Sequence, residues 1–174
     1  KLASREKPVL SGSGKLILLL IGDHSRIRMF DTNGNPAAVK EISGRLCTSI
    51  EFSEQNDFAG FGFADGTYYF IDEKGGILNK GSLPPGNIVK GMRISSNGSY
   101  GVVHYGTEEK DGVRVVDIPD NSSDDAELSS LHHMKTALHV DNDGKVSILD
   151  NDSFTVLDDD ADEIFKIRIP AKRS

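Results

Sequence analysis

The chain has 174 residues and a formal net charge of -7, with 37 % hydrophobic and 27 % charged residues. This length suits one domain, and the hydrophobic content is high enough to form a core, unlike that of a disordered segment. A strongly acidic protein repels phosphate groups, so the charge excludes general binding to nucleic acid or to an anionic membrane surface.

Cys47 is the only cysteine, which excludes an intrachain disulfide and a zinc site made of several cysteines. Its apolar neighbours suggest a small buried hydrophobic residue, without the electropositive setting that makes a thiol reactive. The apolar run at residues 16–21 is six residues long, whereas a transmembrane helix needs about 20. We therefore expect no membrane span, and we interpret this run as a buried strand.

In chain order, one phrase recurs: a strand follows a tight polar turn and ends in Asp. It occupies residues 25–31, 66–72, 112–117 and 144–150, and it ends at Asp31, Asp72, Asp117 and Asp150. These four residues are 41, 45 and 33 positions apart. A period near 40 with several short strands in each repeat is typical of β-propeller blades.

The repeat predicts an all-β fold, a β-propeller-like array of about four antiparallel four-stranded blades in a single domain, 1–174. The second unit shows the plan best, because two apolar strands are joined by Asp65-Gly66, a dipeptide that favours a hairpin turn. The segment from Pro119 to Glu127, rich in Asp and Ser, is predicted to be a loop. The blades are predicted over residues 8–42, 46–82, 88–118 and 128–169.

The third unit carries a resemblance to a known class. From Ile94 to Asp117 it reads strand, Ser96-Asn97-Gly98 turn, strand, turn and strand, with the second turn enlarged at residues 107–111. This order resembles that of WD40-like and related bacterial propellers. The chain has no Trp, so the Trp-Asp pair of true WD40 repeats is absent.

Four blades are few for a ring, because such propellers more often close with six to eight. An open array would expose one face at each end. The chain could be a piece of a longer protein, a compact four-blade ring, or half of a ring completed by a second copy. We expect a homodimer or a fragment, and the start at Lys1 rather than Met favours a longer parent protein.

The Asp-rich turns and the histidines raise the question of a metal site. From Asp141 the sixth residue is Val146, where an EF-hand loop needs Gly, so we interpret these turns as backbone turn chemistry. In a strand over residues 131–140, His132 would point away from the other two histidines of that segment. The weak candidates for metal ligands are Asp141, Asp143, His133 and His139.

No nucleophile elbow, phosphate loop, paired catalytic carboxylates or metalloprotease motif occurs, so we expect neither catalysis nor a cofactor. The leading hypothesis is a non-enzymatic binding or scaffold domain that presents propeller faces or blade edges to a protein partner. The partner-binding residues are predicted in the two longest variable segments: Thr107, Glu108, Glu109, Lys110, Asp111, Asp120, Asn121, Asp124 and Asp125.

Two other functions fit the same pattern. The chain could be the accessory propeller of a larger hydrolase- or peptidase-type enzyme whose chemistry lies elsewhere. It could also be a small-molecule or cation sensor that uses the axial channel. The acidic surface, the blade pattern and the start at Lys1 favour an extracytoplasmic or cell-surface location.

Overall fold

The computed structural model describes residues 6–55, 58–128, 137–149 and 153–169. These residues form four antiparallel sheets, each a meander of four strands that follow one another in sequence. Sheet 1 contains β1 (Lys7–Leu10), β2 (Leu16–Ile21), β3 (Arg26–Asp31) and β4 (Pro36–Ser43), and sheet 2 contains β5 (Cys47–Phe52), β6 (Phe58–Phe63), β7 (Thr67–Asp72) and β8 (Ile77–Ser82). Sheet 3 contains β9 (Ile88–Ile94), β10 (Tyr100–Gly106), β11 (Asp111–Asp117) and β12 (Ser122–Leu128), and sheet 4 contains β13 (Ala137–Val140), β14 (Val146–Leu149), β15 (Ser153–Leu157) and β16 (Glu163–Arg168).

The Asp that ends the repeated phrase closes the turn after it. Asp31 accepts hydrogen bonds from the backbone N–H groups of Asn33 and Asn35, at 2.9 and 2.8 Å. Asp72 does the same for Lys74 and Gly76, at 2.9 and 2.7 Å. A carboxylate that satisfies two backbone donors two and four residues ahead fixes a tight turn, so the turn interpretation is confirmed here. Asp150, the last Asp of the series, lies outside the described residues.

Three apolar layers hold successive sheets together. The first lies between sheets 1 and 2 and includes Leu18, Met29 and Phe61. The second lies between sheets 2 and 3 around Phe70, and the third lies between sheets 3 and 4 around Val115. Strands that are buried on both faces carry continuous apolar runs, which is why sheets 2 and 3 were readable from the sequence. The all-β, propeller-like architecture is confirmed.

The first strands of neighbouring sheets are linked by one side chain. Arg93 on β9 donates to the carbonyl of Leu138 on β13 at 3.1 Å, and it forms an ion pair of 2.8 Å with Glu51 on β5. One guanidinium therefore connects sheets 2, 3 and 4 along their innermost strands, since a planar fork of donors can serve several acceptors at once.

One element was predicted wrongly. Residues 122–128, which lie mostly within the predicted loop, form β12 and pair with β11 along its whole length. The third sheet therefore spans Ile88 to Leu128, beyond the predicted end at residue 118. As an outermost strand β12 is mostly exposed, so its side chains are Ser, Asp and Glu and show no apolar alternation. Pairing with a central strand decides its conformation against its low intrinsic β-propensity.

The described part of the fourth sheet begins at Ala137, later than the predicted boundary at residue 128. In the described ranges, the chain contains no helix with the length and apolar character needed to cross a membrane. Leu10 on sheet 1 and Ile167 on sheet 4 are exposed, so the outward faces of the two end sheets do not cover each other. In the part of the chain that the structure describes, the array is thus open and does not close as a four-blade ring.

Candidate functional site

The largest concentration of predicted contact residues lies at one end of sheet 3. The turn between β10 and β11, the connection from β8 to β9 and the outer strand β12 enclose an open cavity of about 370 Å³. The residues that line it are Pro84, Asn87, Tyr105, Thr107, Lys110, Asp111, Gly112, Asp125 and Glu127. We call this the rim cavity.

A buried charged network forms the floor of the rim cavity. The side chain of Asp111 is fully buried. One of its carboxylate oxygens forms a close ion pair with Lys90 on β9, and the other is hydrogen-bonded to Nε2 of His104 at 3.0 Å. Lys90 also donates to the carbonyl of Thr107 at 3.3 Å. A buried carboxylate needs such partners, because an unpaired one would be costly to desolvate. The network ties the turn to the innermost strand of the sheet.

The burial of Asp111 corrects its predicted role. It was grouped with the exposed partner-binding residues because it belongs to a variable, polar turn. The structure instead places its side chain beneath that turn, 3 % exposed, where it is held by Lys90 and His104 and positions the turn. Lys90 was not predicted as a partner of Asp111, because it lies 21 residues earlier and meets Asp111 only when β9, β10 and β11 align.

The turn above this network is built around Thr107. The Thr107 hydroxyl accepts hydrogen bonds from the backbone N–H groups of Glu109 and Lys110, both at 3.1 Å. The backbone N–H of Thr107 donates to the carbonyl of Lys110 at 2.8 Å. These bonds replace backbone pairing that the turn interrupts. Glu108, Glu109 and Lys110 are consequently held outward, with exposed side chains on a fixed backbone.

The outer wall of the rim cavity is a second charged group. Arg114 donates to both oxygens of Asp125, at 2.9 and 2.7 Å, and to the carbonyl of Ser82 at 3.1 Å. The hydrogen bond to Asp125, followed by one to Tyr68, keeps the pKa of Arg114 above its already high ordinary value. Burial, together with the nearby Asp125, raises the pKa of Tyr105 to about 12, so its hydroxyl stays protonated and able to donate at neutral pH.

Lys110 and Glu127 form an ion pair of 3.3 Å across the mouth of the cavity, and both side chains are about 70 % exposed. Such a solvent-exposed pair contributes little and is easily exchanged for another partner. Within the described part of the chain, Glu108 and Glu109 are exposed and form no ion pair of their own. The cavity therefore has a fixed floor and wall but an adaptable, acidic mouth.

The other predicted contact residues are not brought to this cavity. Asp120 and Asn121 lie in the turn between β11 and β12, at the opposite end of sheet 3. The side-chain oxygen of Asn121 accepts a hydrogen bond from Asn79 on sheet 2 at 2.8 Å, so this residue links two blades. Asp124 lies on the face of β12 that looks toward sheet 4. There it adds to the acidic groups, Asp159 first among them, that raise the pKa of Asp160.

The weak metal candidates are not assembled either. Asp141 accepts hydrogen bonds from the backbone N–H groups of Asp143 and Lys145, each at 2.9 Å, which is the turn role that we preferred. His139 lies 4.0 Å from Glu54 on sheet 2, and His133 falls outside the described residues. Among the residues that the structure covers, no group of three or more His, Cys, Asp or Glu side chains could hold a metal ion.

Comparison with known proteins now adds to this geometry. No protein-family model matches the chain, and no curated protein matches it. Among solved structures, it is similar to the β-propeller domain of Cps50 (Swd1) from Myceliophteria thermophila, with a TM-score of 0.65 and 14 % identity, over 98 % of this chain and 57 % of that one. It is also similar to hydrazine synthase from Kuenenia stuttgartiensis, with a TM-score of 0.62 and 14 % identity, over 93 % and 48 %.

At this identity the likeness concerns the fold alone, and the fold is a β-propeller array. The chain spans about half the length of the solved structures that it matches. One of these structures is named as a propeller domain and the other as an enzyme, so the fold does not by itself decide between binding and catalysis.

Proposed function

We propose that the chain is a non-enzymatic protein-binding domain, and that it holds its partner at the rim cavity of sheet 3. The observation that carries this proposal is the construction of the site. A buried Lys90–Asp111–His104 network fixes the turn, and the turn holds exposed charged side chains above a cavity of about 370 Å³. Binding residues commonly lie on turns that a rigid scaffold positions.

The charge of the mouth indicates which partner would fit. Glu108, Glu109, Asp125 and Glu127 are exposed around the cavity, with Lys110 among them. A partner segment that carries a Lys or Arg side chain could displace Lys110 from Glu127 and place its aliphatic stem against Pro84 and Tyr105. Complementary charge of this kind favours encounter and selects partners more than it adds affinity.

The experiment is site-specific crosslinking in an extract of the source organism. A photoreactive residue replaces Glu109 in the rim turn, and in a matched control it replaces Asn33, which is exposed in the turn between β3 and β4 of sheet 1. We expect one protein to be crosslinked from position 109 and not from position 33. The same product should be lost when Glu108 and Glu127 are also changed to Ala.

Equal crosslinking from both positions would contradict the proposal, since it would show non-specific contact. Crosslinking that persists in the Ala variants would contradict the placement of the partner at the rim. Circular dichroism of each variant provides the control for folding. Because the altered side chains are exposed, we expect the spectrum of each variant to match that of the unaltered chain.

A further inference from the structure

The two end sheets each leave one face open, and each open face carries a row of apolar side chains, which on sheet 1 lies beside an ion-paired Arg–Glu group. On sheet 4, strand register places Leu149, Phe154 and Ile167 side by side in one row across three strands. On sheet 1, register places Leu10, Ile17 and Phe30 in an equivalent row. Leu10, Leu149 and Ile167 are 60 %, 46 % and 49 % exposed.

Inside the chain, the faces that correspond to these rows are covered. Sheets 2 and 3 have neighbours on both sides, and their central strands are buried throughout, as with Phe70 on β7 and Val103 on β10. The next row of sheet 4 adds Val156 and Phe165, and the rings of Phe154 and Phe165 meet edge to face at 6.4 Å. Neighbouring apolar side chains that are exposed together on one face of a sheet mark an interaction surface.

We propose that the open face of sheet 4 docks on the open face of sheet 1 of a second copy of this chain, and that two such contacts close one ring. This inference concerns surfaces other than the rim cavity and does not depend on the proposed function. Each copy supplies one face of each kind, so two copies related by a two-fold axis cover all four. In each resulting interface, sheet 4 of one copy would be followed by sheet 1 of the other, just as each sheet is followed by the next one within the chain.

The comparison with solved propellers favours this occupant. The four sheets superpose over nearly the whole chain on propellers of which they cover 57 % and 48 %. A second set of four sheets would therefore bring the array to about the length of those structures. A second copy matches both end faces at once, because each copy carries one face of each kind.

The test is the mass of the 174-residue chain by light scattering over a dilution series. We expect a mass of twice 18.9 kDa at high concentration and dissociation on dilution. Added salt should strengthen the dimer, because each copy has a net charge of -7. A mass of 18.9 kDa at every concentration would overturn the proposal, and so would open-ended growth beyond two copies.

Two variants test the faces themselves. Ile167→Glu on sheet 4 and Leu10→Glu on sheet 1 each place a charge in both proposed interfaces. Each should raise the dissociation constant roughly 100-fold, because a buried charge without a partner is costly. Ile77→Glu is the matched control, since Ile77 is a similarly exposed residue on β8 of sheet 2, away from both end faces. It should leave the dissociation constant unchanged.

Mixing the two variants distinguishes the proposed contact from contact between like faces. A dimer of one Ile167→Glu chain and one Leu10→Glu chain contains both charges in one interface and none in the other. We expect the mixture to dimerise more strongly than either variant alone. If sheet 4 instead docked on sheet 4, Leu10→Glu would have no effect and mixing would restore nothing, and this result would overturn the head-to-tail arrangement.

Discussion

The repeated phrase forms the third strand of sheets 1, 2 and 3 and the second strand of sheet 4, yet the inner and the end sheets differ mainly in what covers them. The central strands of the inner pair are buried on both faces, whereas sheets 1 and 4 bury one face and leave the other open. The phrase thus encodes a strand–turn–strand unit and does not encode its place in the array. Position, and not local sequence, decides how much each residue contributes to stability.

The largest expected difference is between two phenylalanines. Phe70 on β7 is fully buried between sheets 2 and 3, while Phe165 on β16 is 45 % exposed. We expect Phe70→Ala to lower the free energy of unfolding by about 3–5 kcal/mol, because it leaves a cavity that its neighbours cannot fill. Phe165→Ala should cost less than about 1 kcal/mol when urea unfolding is measured in dilute solution. Equal losses would contradict the difference between inner and end sheets.

Two Asp→Asn substitutions compare an inner sheet with an end sheet for the effect of removing a charge on stability. Asp111→Asn removes the counter-charge of Lys90 and weakens the bond to His104, so it should cost roughly 3 kcal/mol of unfolding free energy. Asp143→Asn, in an exposed turn of sheet 4, should change stability by less than about 0.5 kcal/mol. Both values come from urea unfolding at neutral pH. If Asp111→Asn were neutral, the network would not be what fixes the rim turn.

Two Gly→Ala substitutions in sheet 3 distinguish the effect of close packing from the effect of lying in an inner sheet. A Cβ atom at Gly101 would lie 2.3 Å from the ring of Phe70, whereas at Gly91 its nearest neighbours would be 3.9 Å away. We therefore expect Gly101→Ala to cost about 1–3 kcal/mol through overpacking. Gly91→Ala should be within about 1 kcal/mol of the unaltered chain. Thermal unfolding of both variants would show whether the spacing of sheets 2 and 3 is as tight as described.

The smallest effect concerns Asp31 in the turn after β3 of sheet 1. Hydrogen bonds from Asn35, first of all from its side chain, hold the pKa of Asp31 below its usual value of 3.8. A group whose pKa is lowered on folding stabilises the fold above its usual pKa and stops doing so as the pH falls through the lowered value. The unfolding midpoints of the unaltered chain and of Asp31→Asn should therefore converge as the pH falls from about 5 to about 2. A gap that stays constant would contradict this role.

Much of this fold is readable from the sequence because its signals are local. Buried strands such as residues 16–21 are continuous apolar runs, and Asp65-Gly66 predicts a hairpin turn. By contrast β12 was missed, because an outermost strand exposes its side chains and its composition is that of a loop. Whether such a segment pairs depends on the neighbouring strand, which single-sequence patterns do not encode.

The candidate site was predictable only in part. The enlarged turn at residues 107–110 stood out by its length, and the structure does place it at a cavity. The burial of Asp111, and the parts played by Lys90 and Arg114, depend on contacts between strands that are distant in sequence. Asp120 and Asn121 were predicted as contacts because they lie in the second variable segment, and the structure places them away from the rim cavity, since a meander sends successive turns to opposite ends of a sheet.

The most direct test of the inner–end comparison is hydrogen exchange of the whole chain at two concentrations, one below and one above the midpoint of dimer dissociation. We expect the amides of β6, β7, β10 and β11 to be slow and equal at both concentrations. Those of β2, β14 and β15 should exchange faster in dilute solution and become protected at high concentration, because docking of a second copy suppresses local opening of the end sheets. Equal protection of all four sheets in dilute solution would contradict the account.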